Sequence, residues 1–262
     1  MRHQIHLFFT ALMFFTRIPI PKIPYHPNML QESARYFTWV GILVGSIAGL
    51  TFYLSSLLFS IELSILISML SSIWVTGAFH EDGLADCFDA FGGGWKKEQI
   101  LTIMKDSRLG TYGVIGLIAS LSLKFLLLRE LVHIPSLYLL PFTLITAHSI
   151  SRGMAIVMMQ TLPYVQDIDS SKSKPLANRQ LTLLELIIAS IGIILPLLVL
   201  ILKSNQQFEL TLVVIPVFIG ALLLGKYWKK WIGGYTGDCL GATQQITELI
   251  FYFTVLLIWK FI

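Results

Sequence analysis

Apolar residues in this chain come in long runs that polar residues barely interrupt. Charge-poor stretches lie at 36–61, 63–79, 109–128, 135–158, 183–202, 209–227 and 245–260. Each is close to the roughly 20 residues that an α-helix needs to cross a hydrocarbon core. The runs lack the ten-residue alternation of an outer-membrane barrel. Backbone groups in lipid must be satisfied within their own segment. The pattern therefore predicts an all-α fold: a polytopic helical membrane bundle of about seven transmembrane helices. Ahead of these runs, the apolar stretch 5–15 is too short to span and predicts a short N-terminal re-entrant or interfacial helix. It follows Arg2 as a signal peptide would, but Thr16-Arg-Ile-Pro19 offers no small-residue cleavage site, so the stretch is expected to be retained. Pro19, Pro21, Pro24 and Pro27 then predict an extended segment, because proline fixes φ and biases its predecessor away from helix.

Composition sharpens this picture. With 55% hydrophobic against 13% charged residues and a mean hydropathy of +0.74, an ordinary soluble fold and a disordered chain are both excluded. A net charge of +4 from 19 basic and 15 acidic residues leaves no basic surface to spare for nucleic acid. The expected partner is the lipid bilayer. Starting the N-terminus inside puts fourteen Lys/Arg residues in cytoplasmic segments and only Arg129, Lys203 and Lys260 opposite, with Lys124 and Arg152 left inside spans. That positive-inside bias predicts a multi-pass protein of the bacterial inner membrane, N-terminus in and C-terminus out. Cys87 and Cys239 both fall on the cytoplasmic side and read as free thiols. The polar stretch 167–174 reads as a solvated loop.

The chemistry concentrates in two polar islands on that predicted face, cytoplasmic loops at about 80–113 and 226–248. Glu81, Asp82, Asp86 and Asp89 fall close together, with no lysine or arginine before Lys96. Such a cluster repels itself unless a cation compensates it. Asp82, Asp86 and Asp89 stand at i, i+4 and i+7, one face of a helix. Hard oxygen ligands of this kind suit Mg²⁺ or Mn²⁺, and the lack of a His or Cys cluster argues against zinc. Further on, Lys105, Ser107 and Arg108 supply donors suited to phosphate oxygens. Gly110 and Gly113 permit close backbone approach where the next span begins with Thr111, and a helix N-terminus favours an anion. The second island holds glycines at 233, 234, 237 and 241, a lone Asp238, and Gln244 one helical turn before Glu248. His148 and Arg152, one turn apart inside a span, are functional candidates or structural partners for Asp106 or Glu62. Carboxylates able to hold a divalent cation beside donors able to hold phosphate point to phosphoryl transfer. The candidate catalytic residues are Asp82, Asp86, Asp89, Lys105 and Arg108. Candidate metal ligands are Asp82, Asp86, Asp89 and Asp238, with a two-metal site or a supporting role for Asp89 and Asp238 open, and candidate substrate contacts are His80, Ser107, Thr111, Arg152, Gly237 and Gln244. The whole of 1–262 reads as a single integral-membrane catalytic domain.

Three segments in order, His80-Glu-Asp-Gly-Leu-Ala-Asp86, Met104-Lys-Asp-Ser-Arg-Leu-Gly-Thr-Tyr-Gly113 and Gly233-Gly-Tyr-Thr-Gly-Asp-Cys-Leu-Gly-Ala242, closely resemble the signatures of the cobalamin synthase (adenosylcobinamide-GDP ribazoletransferase) family. The likeness extends to Phe14-Phe-Thr-Arg-Ile-Pro19 and Tyr36-Phe-Thr-Trp-Val-Gly41; Glu81, Thr38-Trp39 and Cys87-Phe88 depart from the family pattern. The resemblance implies an inner-membrane, Mg²⁺-dependent transferase that joins adenosylcobinamide-GDP to α-ribazole or its 5′-phosphate and releases GMP. Two rival readings fit less well. A CDP-alcohol phosphotransferase carries arginine after Asp-Gly-x-x-Ala, whereas Asp82-Gly-Leu-Ala is followed here by Asp86. A cation transporter holds its site near the midplane on paired repeats, which this chain lacks. Whether the protein is a monomer or a homo-oligomer is left open by the sequence.

Overall fold

With no water to satisfy peptide groups, each apolar run closes its hydrogen bonds along itself. The computed structural model describes residues 2–24, 26, 28–133, 137–165, 180–204 and 208–261; the stretch 167–174 and Pro27 lie outside the described residues. Its helices are α1 (Arg2–Phe15), α2 (Met29–Ser33), α3 (Phe37–Ser56), α4 (Ile61–Thr76), α5 (Phe79–Gly93), α6 (Lys97–Met104), α7 (Thr111–His133), α8 (Leu140–Thr161), α9 (Leu183–Lys203), α10 (Val214–Ile232) and α11 (Gly237–Phe261). Among the described residues, six helical stretches are long and apolar enough to cross a membrane: Met29–Ser56, Thr111–His133, Leu140–Thr161, Leu183–Lys203, Phe208–Ile232 and Gly237–Phe261. The chain is a multi-pass membrane protein. Counted as one span, the pair α4 and α5, bent by 89°, makes a seventh. The segment expected to be extended after α1 has no helix through Pro24. Much of the two expected loops is helical, forming α5, α6 and the ends of α10 and α11.

The bundle centres on α8, buried along most of its length. Gly41, Gly45 and Gly49 put a bare stripe of α3 against it. A methyl group added at Gly41 would sit 2.3 Å from the His148 carbonyl oxygen, and one at Gly45 2.6 Å from the Ile145 Cα. Small residues at i, i+4 and i+8 let two backbones approach closely where lipid provides no hydrophobic drive between helices. Hydroxyls and an indole then stitch neighbours together. Thr38 donates to the Ala189 carbonyl at 2.9 Å, Trp39 Nε1 to the Ile188 carbonyl at 2.9 Å, and Ser149 to the Gly192 carbonyl at 2.6 Å. Thr38 and Trp39, two departures from the family pattern, thus hold α9 onto α3. Arg35, one of the fourteen basic residues placed in cytoplasmic segments by the charge partition, is buried and paired with Glu185, which completes the capping box of α9.

The elbow between α4 and α5 positions the first polar island. Gly77 (φ +66°) and Ala78 (φ +59°) are both left-handed, which costs the alanine about 1 kcal/mol or more. The N-terminal segment braces this turn. Arg17 lies against Gly77 and donates its backbone N–H to the Val75 carbonyl at 2.7 Å. Phe15 packs edge-on to Phe37 (ring centroids 4.1 Å apart) and stacks on His80 (5.9 Å).

Candidate active site

Beyond the elbow, α5 carries Asp82, Asp86 and Asp89 along one side, and Leu84, Cys87 and Phe91 along the other. Asp82 is exposed; Asp86 and Asp89 are half-buried. The apolar side packs against α11, α7 and α6. Contact with α11 runs through two glycines. A methyl group at Gly83 would lie 3.0 Å from both the Cα and the carbonyl oxygen of Asp238, and one at Gly241 would lie 3.2 Å from the His80 carbonyl oxygen. This crossing places the first turn of α11 against the first turns of α5. It sets Asp238 beside Asp82 and Asp86, so that Asp86 stands in the fields of Asp238, Asp82 and Asp89, strongest first. Among the described residues, no three His, Cys, Asp or Glu side chains are drawn close enough to hold one ion by themselves. Mg²⁺ usually takes only one or two carboxylates and fills its octahedron with phosphate and water, so the donor set fits it without such a triplet.

Asp89 is held differently. Its Oδ2 accepts the Gly110 N–H at 2.7 Å and its Oδ1 the Gly113 N–H at 2.8 Å. The carboxylate thereby caps α7 and pins the Lys105–Thr111 segment to α5, in keeping with the preference of helix N-termini for negative charge. Gly110 and Gly113 are required there, because a methyl group at either would be 2.4 Å from an Asp89 oxygen. Lys105, Ser107, Arg108 and Thr111 are all exposed. Arg108 forks onto Asp106, with Nη2 2.6 Å from Oδ2 and Nε 3.0 Å from Oδ1. The guanidinium, then the Arg108 backbone N–H, hold the Asp106 carboxyl down to about 2. Asp106 therefore pairs with Arg108 and not with Arg152.

His80, Arg152, Gly237 and Gln244 come together in lining one cleft under the carboxylates, walled by Phe14, Phe15, Phe37 and Phe79; Ser107 and Thr111 do not join it. Beneath lies a buried polar network that the sequence reading did not assemble. Lys124 Nζ is 2.6 Å from Glu248 Oε1, which also accepts from Tyr252 at 2.8 Å; Gln244 Nε2 donates to Glu248 Oε2 at 2.8 Å. Arg152 Nη1 donates to the His148 carbonyl at 2.8 Å, and His148 Nδ1 lies 3.7 Å from Glu248. Glu81, the departure whose role the sequence left open, is buried and accepts from Gln245 Nε2 at 2.9 Å. The advance signals of this network were the charges of Lys124 and Arg152 inside apolar runs and the one-turn spacings His148/Arg152 and Gln244/Glu248. Cys87 and Cys239 are free and buried.

Comparison with known proteins gives a consistent result. A family model described as cobalamin-5-phosphate synthase matches residues 7–256. Proteins named adenosylcobinamide-GDP ribazoletransferase are similar over nearly their whole length. The one from Vibrio parahaemolyticus is 39% identical, covering 99% of this chain and 95% of that protein. The Shewanella oneidensis protein is 45% identical over 97% and 95%, and the Leptospira interrogans protein 41% over 99% and 98%. No solved structure matches this chain.

Proposed function

Since the chain belongs to the cobalamin-5-phosphate synthase family, and so is a transferase of cobalamin synthesis, we propose that it catalyses the adenosylcobinamide-GDP ribazoletransferase reaction. It would do so at the cytoplasmic face of a bacterial inner membrane and with Mg²⁺. The acceptor is α-ribazole or its 5′-phosphate. A ribose hydroxyl oxygen of the acceptor, the 3′-oxygen, bonds to the phosphorus that carries cobinamide as the anhydride bond to GMP breaks. The hydroxyl proton passes to a carboxylate of the cluster, and GMP leaves with the bridging oxygen.

The observation that carries this reading is the crossing at Gly83 and Gly241, which gathers Asp82, Asp86 and Asp238 next to a tethered loop bearing Lys105 and Arg108. Asp82, Asp86 and Asp238 would hold Mg²⁺, which when bound offsets charge on the pyrophosphate and on departing GMP. Lys105 and Arg108 orient the phosphates from the opposite side, Arg108 with the donors that Asp106 leaves unused. Asp89 positions that loop through Gly110 and Gly113. The test is product analysis: purified protein given adenosylcobinamide-GDP, α-ribazole and Mg²⁺ releases GMP in step with product, and chelation stops it. Failure to release GMP with folded protein and both substrates present would refute the reading.

A further inference from the structure

The C-terminal halves of α8 and α10 leave a groove of about 230 Å³ between them, walled by Val157, Met158 and Leu162 on one side and by Ala221, Leu222 and Gly225 on the other. Here α8, buried along most of its length, comes to the surface, with Val157 half-buried and Thr161 exposed opposite Leu222. At the base of the groove the helices close on Gly225, where a methyl group would lie 3.2 Å from Met158 Sδ and 3.4 Å from Leu162 Cδ1. A space several times the roughly 30 Å³ that one water occupies, lined by hydrocarbon, stays free of water and suits an apolar chain.

The end of the groove is cationic. Lys226 and Lys229 also line it, and Leu222, Lys226 and Lys229 follow at i, i+4 and i+7 along one face, over an axial rise of about 10 Å. Neither α8 nor α10 carries an Asp or Glu, and among the described residues no carboxylate pairs with either lysine. As membrane anchors alone, lysines could stand anywhere around the helix end; Lys230 does so, lying over the Trp231 ring at 5.8 Å. An apolar slot that ends in two unpaired ammonium groups matches a molecule with a hydrocarbon chain and an anionic head. A zwitterionic headgroup would bring a cation of its own beside the lysines. We propose that this groove binds one anionic phospholipid, an acyl chain lying along Met158, Ala221 and Leu222 and the phosphate diester meeting Lys226 and Lys229. The lipid braces α10 against α8 next to the joint in which Val165 N–H donates to the Tyr235 carbonyl and Tyr235 N–H to the Pro163 carbonyl, each at 3.0 Å, three residues ahead of Asp238.

The test is native mass spectrometry of the full chain in detergent, titrated with phosphatidylglycerol or with phosphatidylcholine of the same acyl chains; binding read this way is independent of the proposed reaction. One phosphatidylglycerol should bind with a Kd at least about tenfold below that of phosphatidylcholine, since each lysine near a lipid phosphate contributes about fivefold. Lys226→Gln/Lys229→Gln should bring the two lipids within about twofold of each other. Lys96→Gln/Lys230→Gln removes the same charge outside the groove and should keep the preference. Thr161→Phe, which fills the groove and keeps both lysines, should weaken phosphatidylglycerol at least about fivefold. All five substituted side chains are exposed, and thermal denaturation confirms that each variant is folded. Equal binding of the two lipids by the wild type, an arm that needs no variant, would overturn the proposal. So would an equal loss in the two double variants, which would make the attraction diffuse, or undiminished binding in Thr161→Phe, which would put the chain elsewhere. Full competition by glycerol 3-phosphate, which has no chain, would make this a site for free phosphate and equally overturn it.

Discussion

Among single residues, the four aspartates differ in what their oxygens already hold. Both oxygens of Asp89 accept backbone N–H groups, whereas Asp82 stands exposed and Asp86 half-buried at the crossing with α11. Asp82→Asn and Asp86→Asn should each lower GMP release by about 10²-fold or more, as expected for groups that stabilise transition-state charge directly. Asp89→Asn keeps one acceptor and should act through the loop, costing about 10- to 100-fold with a raised Mg²⁺ requirement. Steady-state rates with Mg²⁺ titration separate the two patterns, and wild-type behaviour in Asp82→Asn and Asp86→Asn would place the metal elsewhere. Arg108 supplies a second contrast. Lysine keeps its charge and loses its planar fork, so Arg108→Lys should lower kcat/KM about tenfold if the residue meets phosphate, and leave it unchanged if it only anchors the loop. The Asp106 carboxyl is held down to about 2, so its pair with Arg108 persists through and below the usual aspartate range and is lost only as pH falls toward 2. Any pH dependence near neutrality must therefore survive in Asp106→Asn, as a pH–rate profile would show.

At the level of elements, the proposed site depends on how closely α5 meets α11 and on what locks α11 to α7. A methyl group at Gly83 would press on the Asp238 backbone at 3.0 Å, and backbone cannot rotate aside as a side chain can. Gly83→Ala should cost about 1–3 kcal/mol of stability and, by moving Asp238 from Asp82, lower kcat more than the loss of folded protein accounts for. Activity per folded molecule, with folding followed by thermal denaturation, checks this. The Lys124–Glu248 pair joins α7 to α11 where both side chains are at most 5% exposed. Removing one partner strands the other's charge, so Lys124→Met should destabilise by about 3–5 kcal/mol, with the double change Lys124→Met/Glu248→Gln milder than the sum. A denaturation cycle on the four proteins measures the coupling, and strict additivity would mean that the pair contributes no interaction.

For the whole molecule, helix direction alternates along the chain. The N-termini of α3, α7 and α11 and the C-terminus of α8 therefore lie on the side that bears α5. On the proposed reading that side is the cytoplasmic one, as the Lys/Arg partition predicts. Native Cys87 and Cys239 are buried and should stay silent to an impermeant maleimide, so introduced cysteines are needed. Ser107→Cys should label only after the cytoplasmic side is opened, and Leu58→Cys, exposed at the far end of α3, in intact spheroplasts. The reverse pattern would invert the topology.

Much of this architecture was legible from local chemistry. Apolar run length sets helix number, because a peptide group in lipid has no partner outside its own helix. The i, i+4, i+7 spacing of Asp82, Asp86 and Asp89 sets their shared side, because helical geometry is local. The shortness of residues 5–15 likewise foretold that α1 would not span. Contacts between distant segments were not legible, since nothing in the neighbourhood of a residue names its partner across the bundle. Asp238 could be placed on the right membrane face but not beside Asp82, which depends on two bare glycines, 83 and 241, meeting at a helix crossing. Arg152 could be marked as costly in a span, while its setting with His148, Gln244 and Glu248 required α8 and α11 to pack. Asp89 could be read as a ligand of its cluster or as a support for it. Only folding, which brings the Gly110 N–H within 2.7 Å, made it the cap that holds the Lys105–Thr111 loop in place.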